Sequence, residues 1–186
     1  MRRKLMAVAM TLAMSVGLVA VATAPANAHN KARSGTGFTR VVVAPPVYAL
    51  VAGAGITPAP LAGARAFPYK DTLAADFPIT GYRLANLRIK HSGGLSLTAG
   101  AATISLRNFY IDLARGRVSG LVSGTVGDVG RVDLFKIRAT DRPGLGLVRL
   151  TLTETAAGAL NATFGVSAFA ENATFGYATP RPFSRF

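Results

Sequence analysis

The stretch FPITGYRLANLRIKHSGGLSLTAGAATISLRNFYIDL, residues 77 to 113, decides the fold class. Apolar and polar residues alternate along it, and the two-residue period of a strand places Leu87, Ile89 and His91 on one face. Gly93-Gly94 favours a tight turn between two such runs. The stretch therefore predicts the opening strands of an all-β domain, with His91 at a strand end.

The alternation changes phase within the same stretch. Ile104 and Leu106 share one face, whereas Phe109 and Ile111 continue the pattern one residue later. An unbroken strand cannot move its apolar residues to the other face, so the change predicts a β-bulge or bend near Arg107-Asn108.

The rest of the chain repeats short apolar runs separated by turn residues. Further strands are predicted at 38–43, 118–126, 129–139, 147–153 and 174–179. Turns every ~8–12 residues are typical of a sandwich or barrel. Prolines at three positions between residues 56 and 69 predict an irregular connection there.

Helical signals are few. Pro46 near a first turn and two following glycines allow a short helix over 47–54. The stronger signal is Thr153, a capping residue followed by Glu154 and an apolar face that ends at Gly165. We predict an antiparallel β-sandwich of about seven to nine strands with one short helix over about 154–164.

The amino terminus predicts export. A basic Met1–Lys4, an apolar run and an A-x-A site at 26–28 are typical of a cleaved secretory signal over residues 1–28. A membrane anchor is the alternative, but the small-residue site favours cleavage, which would leave no transmembrane span. We then expect a flexible leader at 29–36, a single β-rich domain at 37–179 and a polar tail at 180–186.

Composition narrows the function classes. The 186 residues hold 21 lysines and arginines against 8 acids, and no cysteine, which excludes disulfides, thiolate metal sites and cysteine nucleophiles. Loss of the signal would leave 18 basic residues against the same 8 acids, a net charge of +10. Such a charge favours anionic envelope polymers or lipid headgroups as partners. The alternative, which the even spread of the basic residues favours, is a basic surface that serves solubility alone. The sequence has no basic helix and no basic stripe interleaved with aromatic residues, so it does not indicate nucleic acid as a partner.

Six segments together resemble the HtaA haem-transport-associated domain family, which consists of exported bacterial domains. They are FPITG (77–81), HSGGL (91–95), SLRNFYIDL (105–113), VDLFKI (132–137), LTLTETAAGALNATFG (150–165) and FGYAT (175–179). The resemblance implies haem contact through a histidine and a tyrosine. His91 matches the histidine at the glycine turn, and Tyr82 and Tyr48 are upstream tyrosines. The family's early aromatic segment has no counterpart here, and the chain has no tryptophan.

From the residues alone, His91 has two interpretations. Its imidazole can serve as a neutral donor to iron or another metal, or it can secure a turn through a hydrogen bond to the backbone. A lone histidine without a second ligand favours the second interpretation. We expect no metal site and no resident cofactor, with haem as the alternative that the resemblance raises.

Catalysis is not indicated. The eight acids are scattered, and there is neither a G-x-S-x-G nor a phosphate-binding glycine loop. The leading hypothesis is a secreted or cell-envelope-associated, non-enzymatic β domain that binds a ligand or has a structural role. The alternatives are haem binding through His91 and a tyrosine, and electrostatic binding to an anionic cell-wall polymer.

Overall fold

The computed structural model describes residues 37 to 186 except 84 and 86. The predicted signal peptide and leader therefore lie outside the described residues. The described chain forms eleven strands and two helices: β1 (Gly37–Val43), α1 (Pro45–Gly53), β2 (Thr57–Leu61), β3 (Arg65–Tyr69), β4 (Thr72–Arg83), β5 (Arg88–His91), β6 (Gly94–Ala99), β7 (Ala102–Asp112), β8 (Arg117–Gly124), β9 (Gly130–Ala139), β10 (Val148–Leu152), α2 (Glu154–Phe164) and β11 (Thr174–Pro182).

All strand pairs are antiparallel, and the sheet closes on itself. Strands β7, β8, β9, β10, β11, β1, β4 and β5 follow one another around a ring in which β5 pairs again with β7. The predicted all-β antiparallel class is confirmed. Closure into a barrel removes most of the exposed edges that two separate sheets would have.

Two local predictions from the opening stretch and the helix are also confirmed. The register between β7 and β8 shifts between Arg107 and Tyr110, and Asn108 has a left-handed φ of 50°. Helix α2 spans Glu154–Phe164, with Thr153 as its cap and Gly165 in the left-handed conformation after it. The short helix near residue 47 is present as α1.

The prediction of a tight turn at Gly93-Gly94 is wrong. Strands β5 and β6 both pair with β7 and run in the same direction along it, with a one-residue offset between them. Gly93 has a φ of 75° and accepts a hydrogen bond from the Asn108 amide at 2.9 Å. The two glycines therefore accommodate a bulge, and the chain reverses at 100–101 instead.

The proline-rich segment after α1 is not irregular, as was predicted, but forms two edge strands. Within the described part of the chain, β2 pairs only with β6, and β3 pairs only with β4. A strand with a neighbour on one side alone needs hydrogen bonds along one edge only, so it tolerates Pro58, Pro60 and Pro68.

The carboxyl-terminal residues are part of the packed structure rather than a separate tail. Strand β11 continues to Pro182, where it pairs with Gly37. Beyond it, the Phe186 ring meets the Phe38 ring edge-on at 5.9 Å, and the Arg65 guanidinium lies 4.3 Å from the Phe186 ring centroid. The described fold therefore runs to the last residue.

The two ends of the barrel differ. Helix α2 packs against β7 and β9 and buries Ala156, Ala157 and Leu160 at one end. Leu152 and Ile104 beneath it are almost fully buried. The other end, where β4 and β7 finish, has no helix across it among the described residues.

Candidate functional site

His91 lies inside the barrel, where it connects three strands. Its Nε2 is 2.7 Å from the Thr39 hydroxyl on β1, and its Nδ1 is 3.2 Å from the carbonyl oxygen of Phe109 on β7. A carbonyl can only accept, so Nδ1 carries the proton and donates it, and Nε2 accepts from Thr39. Both ring nitrogens are thus engaged.

Burial determines the charge of His91. The side chain is almost completely enclosed by apolar residues, and desolvation lowers its pKa from 6.5 to about 4, against the opposing effect of the Phe109 hydrogen bond. The imidazole is therefore neutral at physiological pH.

The interior around His91 is otherwise apolar and holds a cavity of about 90 Å³. Phe77 and Phe109 pack edge-on at 4.9 Å in its wall. Leu113 and Pro180 complete it toward the barrel end that lacks a helix.

A larger, apolar groove of about 200 Å³ lies at that same end, and we call it the end cleft. Its lining comprises Ile79, Tyr82, Arg83, Leu87, Arg88, Ile89, Leu113, Pro180, Pro182 and Phe183. Leu113 and Pro180 line both the end cleft and the interior cavity, so the two spaces adjoin there.

The apolar side chains of the end cleft are exposed to an unusual degree. Phe183 is 76% exposed, and Leu87 is 52% exposed. Both residues also adopt a left-handed backbone, with φ of 65° and 50°. Bulky side chains rarely take this conformation, and such strain concentrates at functional sites. Exposure and strain therefore coincide at this end of the barrel.

Tyr82 and two arginines give the end cleft its polar groups. The Tyr82 ring packs edge-on against Phe183 with centroids 5.7 Å apart, and more than a third of the residue is exposed. Arg88 forms an ion pair with Asp112 at 3.1 Å, whereas Arg83 forms none within the described part of the chain. Among the described residues that line the cleft there is no acid, so it favours anionic groups.

The three residues named from the sequence are not brought together. Tyr82 is at the end cleft, His91 is inside the barrel, and Tyr48 is half-buried on α1 at the end closed by helices. No described hydrogen bond or ring contact joins any two of them.

Sequence reasoning missed most of the end cleft. Phe183 belongs to the segment predicted as a polar tail, and Leu87 and Leu113 belong to strands predicted from their alternation. The one sequence signal that could have marked Phe183 is its setting, a large apolar residue directly after Pro182 and between two arginines. Within the described residues, no group of three or more histidines or acids is placed to hold a metal ion, and neither helix has the length and apolar character to cross a bilayer.

Comparisons with known proteins give one structural likeness. No family model matches the chain, and no curated protein matches it. The fold is similar to the crystal structure of the heme binding protein HtaB from Corynebacterium glutamicum, with a TM-score of 0.48 and 14% sequence identity over 78% of this chain and 93% of that chain. At this level of identity, no residue role is transferred from that structure to this chain.

Proposed function

We propose that the protein is an exported, non-catalytic binding domain that takes an amphiphilic ligand in the end cleft. The ligand would have an apolar body and one or more carboxylates. Haem and long-chain fatty acids both have this chemistry. Export rests on the signal-like amino terminus of the sequence. The observation that supports the proposal most strongly is the exposed apolar cleft, whose described lining includes two arginines and no acid.

Leu87, Leu113 and Phe183 would cover the apolar body of the ligand. Each is a large apolar side chain that is more than a third exposed, so ligand binding would remove this surface from water. The adjoining interior cavity, through Leu113 and Pro180, offers further apolar space to a narrow chain.

Arg83 and Arg88 would attract the carboxylates. A guanidinium forms two parallel hydrogen bonds with a carboxylate, and Arg83 has no described ion-pair partner to displace. For a haem ligand, the Tyr82 hydroxyl is the oxygen donor that the cleft offers to iron. His91 has a structural role in this proposal, since iron could reach its Nε2 only after Thr39 released it.

The proposal is tested by titrating the purified protein with haemin and, separately, with a fluorescent fatty acid. Phe183→Ala should lower the affinity for whichever ligand binds by about tenfold, the effect of losing one buried aromatic contact. Leu147→Ala is the matched control, because Leu147 is 64% exposed and does not line the cleft. Equal effects of the two variants, or no binding of either ligand, would overturn the proposal.

Two further variants distinguish the ligands. If haem binds through Tyr82, Tyr82→Phe should abolish the Soret shift while leaving fatty-acid binding unchanged. If haem contacts His91, the shift should instead change in His91→Gln. A Soret shift that His91→Gln does not alter excludes the histidine from the site, and fatty-acid binding without any Soret shift assigns the cleft to acyl chains.

A further inference from the structure

A polar cleft of about 320 Å³ lies on the outer face of the barrel across β7, β8 and β9, and we call it the arginine cleft. It adjoins the end cleft only through Arg88, which lines both. Its charged lining consists of Arg88, Arg115, Arg117, Arg131, Asp112 and Asp133. Four arginines and two aspartates leave this cleft with a formal charge of +2.

The buried aspartate is fully engaged. Asp112 forms an ion pair with Arg88 at 3.1 Å, and it also accepts a hydrogen bond from the Arg115 backbone amide at 3.0 Å. Its side chain is only 7% exposed. Asp112 and Arg88 therefore balance each other, and the excess charge comes from the other three arginines.

Two of those arginines share one carboxylate at long range. Asp133 lies 3.5 Å from Arg115 and 3.9 Å from Arg117. Both distances exceed the 2.7–2.9 Å that is typical of a charge-assisted hydrogen bond. Because Asp133 is shared at these distances, the guanidiniums of Arg115 and Arg117 both keep N–H groups that can donate to another anion.

Arg131 has no acidic partner within the described residues. It donates to the Ser119 hydroxyl at 3.3 Å and to the carbonyl oxygen of Asn108 at 2.9 Å. Both acceptors are neutral, so they orient the guanidinium without compensating its charge.

The strands hold these groups in a fixed arrangement. Asp112 faces Arg117 across β7 and β8, and Ser119 faces Asp133 across β8 and β9. Side chains on paired strands vary less in position than side chains on loops. The positive charges are thus positioned before any ligand arrives, and only Arg115 stands on a connection between strands.

We propose that the arginine cleft binds a phosphate group. A carboxylate has two oxygens in one plane and is satisfied by a single arginine, whereas a phosphate presents several oxygens in different directions. Guanidiniums that reach the cleft from two strands and a connecting turn match the second geometry. The volume leaves room for the group to which the phosphate is attached. This proposal does not depend on the function of the end cleft.

Three sources of phosphate are distinguished by three probes at low salt: inorganic phosphate, soluble polyphosphate, and phosphatidylglycerol vesicles with phosphatidylcholine vesicles as their control. Arg131→Gln should lower the affinity for the probe that binds by about tenfold, as expected for loss of one charge-assisted contact. Arg138→Gln is the matched control. Arg138 lies on the same strand, is exposed, and is outside the cleft.

Binding of any probe that Arg131→Gln weakens and Arg138→Gln does not supports the proposal and identifies the source. An equal loss in the two variants would mean that overall charge alone attracts the anion, and it would overturn the proposal. Absence of binding to all three probes would overturn it as well. Phe183→Ala should leave phosphate binding intact, which separates this result from that of the end cleft.

Discussion

His91 shows how one polar residue can be accommodated in an apolar barrel. Its two hydrogen bonds satisfy both ring nitrogens, and they connect β5 to β1 and to β7 across the interior. A buried polar group is costly only when it is left without partners. Of the two interpretations that the sequence left open for His91, the hydrogen bond to a backbone carbonyl is present in the fold, where it helps to link the strands.

The lowered pKa of His91 predicts that acid destabilises the fold. Above pH 6.5 the imidazole is neutral in the folded and unfolded states, so it contributes no pH dependence. Between pH 6.5 and about 4 the unfolded chain takes up a proton that the folded chain does not. The free energy of unfolding therefore decreases as the pH is lowered through this range. The fall should amount to roughly 3 kcal/mol, and below about pH 4 this contribution stops changing.

Urea unfolding at several pH values in this window measures the effect. The difference between the wild type and His91→Gln should shrink as the pH falls, because only the wild type carries the buried imidazole. His29→Gln, a variant of the only other histidine, serves as the control. The prediction fails if His29→Gln, and not His91→Gln, removes the pH dependence.

At the scale of single elements, α2 depends on its amino-terminal cap. The Thr153 hydroxyl accepts a hydrogen bond from the Ala156 amide at 3.1 Å and donates to the carbonyl oxygen of Asp133 at 2.7 Å. One hydroxyl thus both begins the helix and attaches it to β9.

Thr153→Ala should lower the free energy of unfolding by about 1 to 2 kcal/mol, since it removes the cap. Thr153→Ser keeps the hydroxyl and should recover most of this loss. The measurement is the urea midpoint of the three proteins. An alanine variant as stable as the serine variant would show that the hydroxyl does not hold the helix.

At the scale of the whole molecule, stability depends on closure of the sheet. Strand β1, the first described element, pairs with both β4 and β11, the last strand. Of the described strands, β2 and β3 each have a partner on one side only. Local opening should therefore begin at these two edge strands.

Hydrogen exchange read by mass spectrometry tests this closure. Amides of β1, β7 and β11 should be the most protected, because both of their neighbours must separate before they exchange. Amides of β2 and β3 should exchange first. If β1 and β11 exchange as fast as the edge strands, then the barrel is not closed in solution.

The fold class could be predicted from local patterns because alternation and turn chemistry are local. The phase change before Phe109 indicated the bulge at Asn108, and Thr153 with Gly165 marked both ends of α2. The edge strands could not be predicted, because proline excludes a central strand but not an edge strand, and edge position depends on pairing. The prediction of a turn at Gly93-Gly94 was wrong for the same reason. A tight turn and a bulge both favour a glycine with positive φ, and only the strand pairing distinguishes them.

The site was less predictable than the fold. Tyr82 was among the candidate site residues proposed from the sequence. Phe183 and Leu87 were not, because their exposure results from their place at the barrel end that no described helix covers. The excess of basic residues was visible as composition. Its concentration at Arg115, Arg117 and Arg131 depends on how β8, β9 and the turn before β8 are brought together in the fold.

The antiparallel β class, the bulge, the capped helix and the positive charge could all be inferred from residue order and composition, since each of these depends on neighbouring residues or on counts. Three features emerge only from the folded chain: the sheet closes, His91 is buried and linked to Thr39, and the end cleft and the arginine cleft lie on the surface. These features depend on pairing between strands far apart in the chain, and residue types alone do not specify such pairing.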